Sequence, residues 1–368
     1  MSGGNGQLRD KLAAGARLTF QEARRLWDLD LLELGSWADA VRRRLHPEPR
    51  VTFVIDRNIN YTNICISGCR FCAFFRPPGA ADGYVLDWDT LAAKLAELKA
   101  HGGSGVLLQG GLNPDLELAY YLELVSFIRG FGLGVHGFSP PELFFLAQNT
   151  GMSLPELLRQ LMDAGLTSIP GGGAEILADR VRRQISPHKC SSSQWLEVMA
   201  TAHRLGLPTS ATMMFGHLET REDRLEHLCR IRDQQDDTGG FTAFIPWTFQ
   251  PGGTNLKGEA LGAVEYLRTL AISRLVLDNV PHLQVSWVTQ GPKVAQVALK
   301  FGADDFGSTM LEENVVAATG VGFRLTRHEI DTLIQQSGYE PQVRDHRYNL
   351  EGDWDLRGGP GKSVTRGQ

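Results

Sequence analysis

After Pro47 the chain alternates short β-rich or Gly-bounded runs with amphipathic helical stretches, and eight repeats of this alternation narrow the accessible folds more than any other feature. The runs are Ile55 to Asn63, Gly105 to Gly111, Gly134 to Ser139, Ser168 to Gly172, Thr209 to Gly216, Phe241 to Gln250, Gln284 to Gln290 and Asp304 to Gly307. Between them, Leu91, Ala92, Leu95 and Leu98 share one helical face, and Leu154, Leu157, Leu158 and Leu161 another. Ser153 with Glu156, Thr309 with Glu312, and Thr326 with Glu329 have capping-box spacing and predict three helix starts. Parallel strands need long crossovers, so strand–helix repeats imply a parallel sheet, and eight units over about 250 residues predict an α/β fold closed as a (β/α)8 TIM-type barrel. Thr19 and Glu22, followed by Ala23, Leu26 and Trp27, predict helices earlier in the chain. The expected plan is a helical extension over 1–50, the barrel over 51–314 and a helical cover over 315–351. A tail over 352–368 is too rich in Gly, Pro, Lys and Arg to order itself.

At 368 residues the chain buries enough surface to fold without a structural metal, so any metal serves chemistry. Lys and Arg total 37 against 42 Asp and Glu, a net charge of −5 without long runs of either sign, and no nucleic-acid partner is expected. Apolar stretches such as Phe241 to Phe249 fall short of the ~20 residues of a membrane span. The amino terminus lacks a charged-then-apolar leader pattern, so a cytoplasmic location is expected. Five cysteines, an odd number, point to reduced thiols or thiolate ligands rather than a disulfide framework.

Three of the five form Cys65-Ile-Ser-Gly-Cys69-Arg-Phe-Cys72, directly after the first run and therefore at the rim where barrels of this kind carry their chemistry. A zinc tetrahedron or an iron–sulfur electron carrier would need a fourth protein ligand. Cys190 precedes Ser191-Ser-Ser at a helix start and Cys229 sits among Leu225, Leu228 and Ile231, so both read as small buried side chains. Three thiolates leave one iron of a cubane open, and an open coordination position signals catalysis. A non-catalytic iron–sulfur or zinc module is the alternative of a different class.

The pattern resembles the radical S-adenosylmethionine superfamily, whose Cys-x3-Cys-x2-Cys motif carries an aromatic before the last Cys, here Phe71. The resemblance implies that Cys65, Cys69 and Cys72 hold a 4Fe-4S cluster and that S-adenosyl-L-methionine chelates its fourth iron. One-electron cleavage then gives methionine and a 5′-deoxyadenosyl radical, with a flavodoxin or ferredoxin as electron donor. Leu108-Gln-Gly110-Gly111 stands where the superfamily often has Gly-Gly-Glu, implying that the Gly110 and Gly111 backbone meets the methionine ammonium, with the glutamate missing. Pro170-Gly-Gly-Gly-Ala174-Glu175 implies a ribose or ammonium contact for Glu175; the competing reading is a plain turn in which Glu175 favours a helix dipole. No Gly-Lys-Ser/Thr follows, which disfavours a phosphate loop. Thr212-Met-Met214-Phe-Gly216-His-Leu-Glu219 partly matches the superfamily's adenine-supporting Gly-x-Ile-x-Gly-x-x-Glu; Thr212 and Met214 depart from it, and only Gly216 is carried over.

From Asp56 to Asn314 the chain is similar to the enzymes of the futalosine route to menaquinone. The likeness rests on Ile55-Asp-Arg-Asn-Ile-Asn-Tyr-Thr-Asn63, Cys72-Ala-Phe-Phe-Arg-Pro-Pro-Gly79, Leu107-Leu-Gln-Gly-Gly-Leu-Asn-Pro-Asp115, Ser168 to Glu175, Phe244-Ile-Pro-Trp-Thr-Phe-Gln-Pro251 and Trp287-Val-Thr-Gln-Gly-Pro-Lys293. It implies that dehypoxanthine futalosine loses a hydrogen from ribose C4′. The carbon radical adds to the benzoate ring, and loss of an electron and a proton gives a spirocyclic product. Aminofutalosine and deazaflavin-chromophore synthesis are the alternatives within the group. Such chemistry needs C4′ within roughly 3–3.5 Å of the adenosyl carbon in a cavity that excludes water. Trp247 and Trp287 are candidate walls or barrel core. Gln290-Gly-Pro-Lys293 and Ser308-Thr309, expected at helix starts, are candidate donors to the substrate carboxylate. His136 and His217, with ordinary pKa values near 6.5, are candidates to receive the ring proton or to be hydrogen-bonded structural residues.

Overall fold

The computed structural model describes residues 2–352. Its strands are β1 (Arg50–Val54), β2 (Asp56–Ile59), β3 (Gly105–Leu108), β4 (Gly134–Gly137), β5 (Thr209–Phe215), β6 (Phe241–Thr248), β7 (His282–Leu283), β8 (Asp305–Ser308) and β9 (Glu340–Arg344). Every pairing between them is parallel, in the orders β8-β1-β9, β2-β3-β4 and β5-β6-β7. Parallel bridges His136↔Ser168, Ile169↔Thr209 and Gln284↔Asp305 connect these sheets, and β1 runs into β2 through Ile55. The fold is parallel α/β.

Two of the expected runs differ in the structure. The fourth, Ser168 to Gly172, forms no strand beyond the bridges at Ser168 and Ile169, because Pro170 has no N–H to donate and three glycines follow. The seventh is displaced: β7 is His282–Leu283, and Trp287–Gln290 is a short helix. Helix Trp88–Ala100 buries Leu91, Leu95 and Leu98, and helix Leu154–Ala164 buries Leu157, Leu158 and Leu161 behind the Ser153–Glu156 capping box. The boxes at Thr19–Glu22 and Thr326–Glu329 also form. That at Thr309–Glu312 does not: no helix starts there, the Thr309 hydroxyl donates to Asp56 O at 3.5 Å, and Glu312 instead accepts from Arg57 Nε at 2.9 Å and from Lys94 at 2.5 Å.

The early helices Ser2–Ala13, Phe20–Arg24 and Leu31–Leu45 precede β1, and the last packs on helix Ala263–Val276. The segment 315–351, expected to be helical, contains helix Arg327–Gln336 and then β9, which lies beside β1 on the side away from β8. From there Arg344, His346 and Tyr348 turn into the interior. The expectation for 352–368 falls, after Gly352, on residues outside those described. No helix among the described residues is long and apolar enough to cross a membrane.

Two buried histidines make stability depend on pH. His203 lies between Thr238 Oγ1 (2.5 Å) and Thr209 Oγ1 (2.8 Å), and burial pushes it down to about 4. His227 accepts the Leu177 N–H at 2.9 Å, and burial pushes it down to about 3. Both are neutral in the native state and gain a proton on unfolding below about pH 6.5. Their contribution is thus complete above that pH and is lost as pH falls toward 4, at about 1.4 kcal/mol per pH unit per histidine. Urea unfolding between pH 7.5 and 4.5 checks this; a flat profile contradicts it.

Candidate active site

Beyond β2 the chain forms the cysteine loop, fixed by Cys65 N–H to Arg76 O (2.8 Å), Ile66 N–H to Leu112 O (3.1 Å) and Arg70 N–H to Ile185 O (2.8 Å). Cys65 and Cys69 are buried and Cys72 half-buried, and all three line one cavity of about 380 Å³. Cys65 Sγ accepts the N–H groups of Leu112 (3.3 Å) and Ser67 (3.4 Å), while Ser67 Oγ lies 3.1 Å from Cys65 Sγ and 3.2 Å from Cys69 Sγ. Donors aimed at sulfur favour the thiolate and tune bound iron. Burial alone works the other way, pushing the Cys69 thiol up to about 11 and Cys72 up as well. A neighbouring cation offsets that cost: Lys189 Nζ lies 5.1 Å above the centre of the Phe71 ring and 2.8 Å from Glu175 Oε1. Burial disfavours its charge, but Cys69 and Glu175 outweigh it and hold the ammonium firmly protonated.

Gly110 and Gly111 lie on the wall beside this loop. A Cβ on Gly110 would sit 2.5 Å from Tyr61 Cζ, and one on Gly111 would sit 2.1 Å from the Ile64 carbonyl oxygen. Close approach of the cysteine loop therefore requires both glycines. Gly110 N–H donates to Glu142 Oε1 at 3.0 Å, and Tyr61 Oη donates to the same oxygen at 2.7 Å. Glu142, in the first turn of helix Pro140–Thr150, thus brings a buried carboxylate to the wall whose sequence lacks the glutamate after Gly-Gly. The Ser139-x-x-Glu142 capping box was its available sequence signal. Gly111→Ala should push Ile64 and Cys65 outward and remove most of the iron that the protein takes up. Iron and sulfide analysis after anaerobic reconstitution checks this, and wild-type iron content contradicts it.

Glu175 is buried on the cavity wall with φ +46°, and helix Asp179–Ile185 begins later, so Glu175 does not sit at a helix start. Lys189, which holds it, was not foreseen; nothing in the local pattern distinguishes this lysine. Gly216 stands apart from the cavity lining: it has φ +94°, its N–H donates to Glu219 Oε1 at 2.6 Å, and a Cβ would lie 2.5 Å from Leu261 Cδ1. On β5, Thr212 faces the cavity instead. His217 also turns away, accepting the Leu218 N–H at 2.7 Å and lying 3.2 Å from Met214 O. His136 faces the cavity. So do Trp247 on β6 and Trp287, whose indole donates to Ser308 O at 3.0 Å and which begins the short helix rather than lying on a strand. Among the candidate carboxylate donors Ser308 reaches the lining, whereas Gln290, Lys293 and Thr309 do not. Cys190 and Cys229 lie outside it, and the Cys190 carbonyl accepts from Arg182 at 2.7 Å.

The cavity floor comes from residues far apart in sequence. Asp56 accepts from His346 Nε2 at 2.8 Å and from the Ser308 hydroxyl, and Arg344 pairs with Asp305. A second cluster, His46, His282 and Asp304, lies at the opposite ends of the strands. It is satisfied internally: Asp304 takes His282 at 2.6 Å and Arg274, and His46 Nε2 lies 2.8 Å from Pro281 O.

Residues 59–230 match the radical SAM superfamily, and residues 238–355 match the CofH/MqnC C-terminal region. The chain is 45% identical over 345 residues to cyclic dehypoxanthine futalosine synthase of Halalkalibacterium halodurans, covering 93% of each chain. It is 40% identical over 357 residues to aminodeoxyfutalosine synthase of Thermus thermophilus, covering 94% of this chain and 95% of that one. Its fold superposes on the crystal structure of methylornithine synthase with a TM-score of 0.72 at 20% identity, over 91% of this chain and 97% of that one.

Proposed function

Because this chain belongs to the radical S-adenosylmethionine superfamily, within its CofH/MqnC branch, we propose that it converts dehypoxanthine futalosine to its cyclic product in menaquinone biosynthesis. The observation that carries this reading is the placing of three thiols, with sulfur-directed N–H donors and one half-buried lysine, at one end of a cavity walled by Leu107, Ile245, Trp247, Trp287 and Val288. That donor set fits a 4Fe-4S cluster with one iron open to S-adenosylmethionine. Cys65, Cys69 and Cys72 would hold it. When bound, the cluster and S-adenosylmethionine together supply the 5′-deoxyadenosyl radical that removes hydrogen from ribose C4′.

The chain's own residues do the rest. Lys189 balances the negative charge that the thiolates bring into a buried loop. Phe71 shields that loop from water, and the Gly110 and Gly111 backbone would border the methionine end of S-adenosylmethionine. Glu175, turned inward by its left-handed backbone and fixed by Lys189, would meet the ribose hydroxyls of the nucleoside. The Trp247 and Trp287 walls suit an aryl substrate and deny competing hydrogen donors access to a carbon radical.

The same reading extends to the strands. With the bridges at Ser168, Ile169 and Gln284, the parallel pairings support a closed (β/α)8 barrel over 51–314, to which the helices of 1–50 and the segment 315–351 are added. The enzyme works in the cytoplasm, draws electrons from a flavodoxin or ferredoxin, and takes no nucleic-acid partner. Anaerobic incubation with S-adenosylmethionine, a reductant and dehypoxanthine futalosine should give the spirocyclic product. Turnover only with the substrates of aminofutalosine or deazaflavin-chromophore synthesis would favour those activities instead, and 5′-deoxyadenosine absent under all three conditions would overturn radical chemistry altogether.

A further inference from the structure

Cyclisation leaves a proton to be disposed of. Once the C4′ radical has added to the ring, the attacked carbon is saturated and still bears its hydrogen. Restoring aromaticity breaks that C–H bond, with the proton going to a base and one electron to an acceptor. The acceptor is an oxidised iron–sulfur or flavin centre. Aromatisation drives the step, so a weak base suffices, but it must be neutral, fixed and inside the dry cavity.

Resting on the function proposed above, we propose that His136 is that base, receiving the ring proton on Nε2. It sits on β4 in register with Leu107 of β3, which pairs in turn with Asn58 of β2, and all three side chains face the cavity. Gln109 lies two residues farther along, about 6.6 Å nearer the rim at the usual strand rise, and the cysteine loop lies above it. An elongated substrate whose ribose is near the thiols therefore reaches the level of His136 with its aryl end.

The ring is held on two sides. Nδ1 lies 2.7 Å from Ser168 Oγ, and the ring stacks on His346 with centroids 4.8 Å apart and planes 19° apart. His346 is anchored in turn by Asp56 at 2.8 Å. A base at Nε2 requires the tautomer in which Nδ1–H donates to Ser168 Oγ; no protein partner engages Nε2 among the described residues, so its lone pair is then left for the cavity. Burial, with His346 and Arg344 nearby, keeps the imidazole neutral before the reaction. The other histidine singled out from sequence, His217, has both ring nitrogens engaged by its own turn. Glu142 is occupied by Tyr61, Gly110 and Ser139.

The test is the ratio of cyclic product to 5′-deoxyadenosine in His136→Gln under anaerobic single-turnover conditions, with freeze-quench electron paramagnetic resonance alongside. Loss of the base should lower that ratio about a hundredfold and let an organic radical accumulate; a wild-type ratio, or equal loss of both products without a radical, overturns the assignment. Should the variant fail to fold, His136→Gly with added imidazole is the second arm. Recovery of the ratio by imidazole supports the proposal, and no recovery in a folded, cluster-loaded protein overturns it. Wild-type enzyme that cleaves S-adenosylmethionine yet never forms cyclic product would instead defeat the underlying function.

Discussion

Cys69→Ala is expected to abolish 5′-deoxyadenosine formation, and Cys190→Ala to leave it at the wild-type level. Cys69 is 3% exposed, lines the cavity, and shares the hydroxyl of Ser67 with Cys65. Removing it leaves two thiols where a cubane with one open iron needs three, and neither remaining cysteine of the chain borders the cavity to replace it. Cys190 is also buried, but its thiol is pushed up chiefly by burial, and its carbonyl accepts from Arg182. Its loss removes a small sulfur from the core and nothing from the site. Anaerobic reconstitution followed by iron analysis, visible absorption and product quantification reads both halves. Radical cleavage by the Cys69→Ala protein would refute the ligand assignment. Loss of the cluster in a folded Cys190→Ala protein would mean a fourth thiolate and favour an electron-carrying module.

The sequence spoke clearly where chemistry and local geometry coincide. The cysteine spacing, the glycine pair after β3 and the glycine turn before Glu175 are each short local patterns, and the three cysteines, both glycines of the pair and Glu175 all reach the cavity. Gly216 had similar sequence support but different packing: Leu261 fills the space in front of it, and Glu219 closes its turn. Thr309 and Glu312 have the spacing of a helix cap, yet Arg57 and Lys94 claim the glutamate, a tertiary pull that no local pattern records. Lys189 was illegible as a site residue, and for Glu142 the capping-box spacing gives a helix start but not a place on the cavity wall, because both roles depend on partners brought in by other loops. The floor was the least legible part. β9 pairs with β1 across nearly the whole chain, its first three residues are exposed or only partly buried, and a five-residue strand after one helix carries too little periodicity to announce a return into the interior.

That floor is also where a single charge should matter most for stability. Arg344 donates from Nη2 to Asp305 Oδ1 at 2.8 Å and from Nε to Oδ2 at 2.5 Å, and its guanidinium lies 3.9 Å from the centre of the Tyr348 ring. Asp305 is fully buried at the junction of β1 and β8, where its other donors, the Thr52 hydroxyl at 2.5 Å and the Gly307 N–H at 2.8 Å, are neutral. Arg344→Met keeps most of the stem's apolar volume but strands a carboxylate, at a cost of about 3–5 kcal/mol. Asp305→Asn in the same protein should recover much of that loss, because it removes the uncompensated charge without emptying the site. Urea unfolding of the single and double variants at pH 8 tests both the loss and its recovery. A deficit below about 1 kcal/mol at pH 8, in the range of an exposed ion pair, would mean that water reaches Asp305 and that the C-terminal segment does not seal the floor of the cavity.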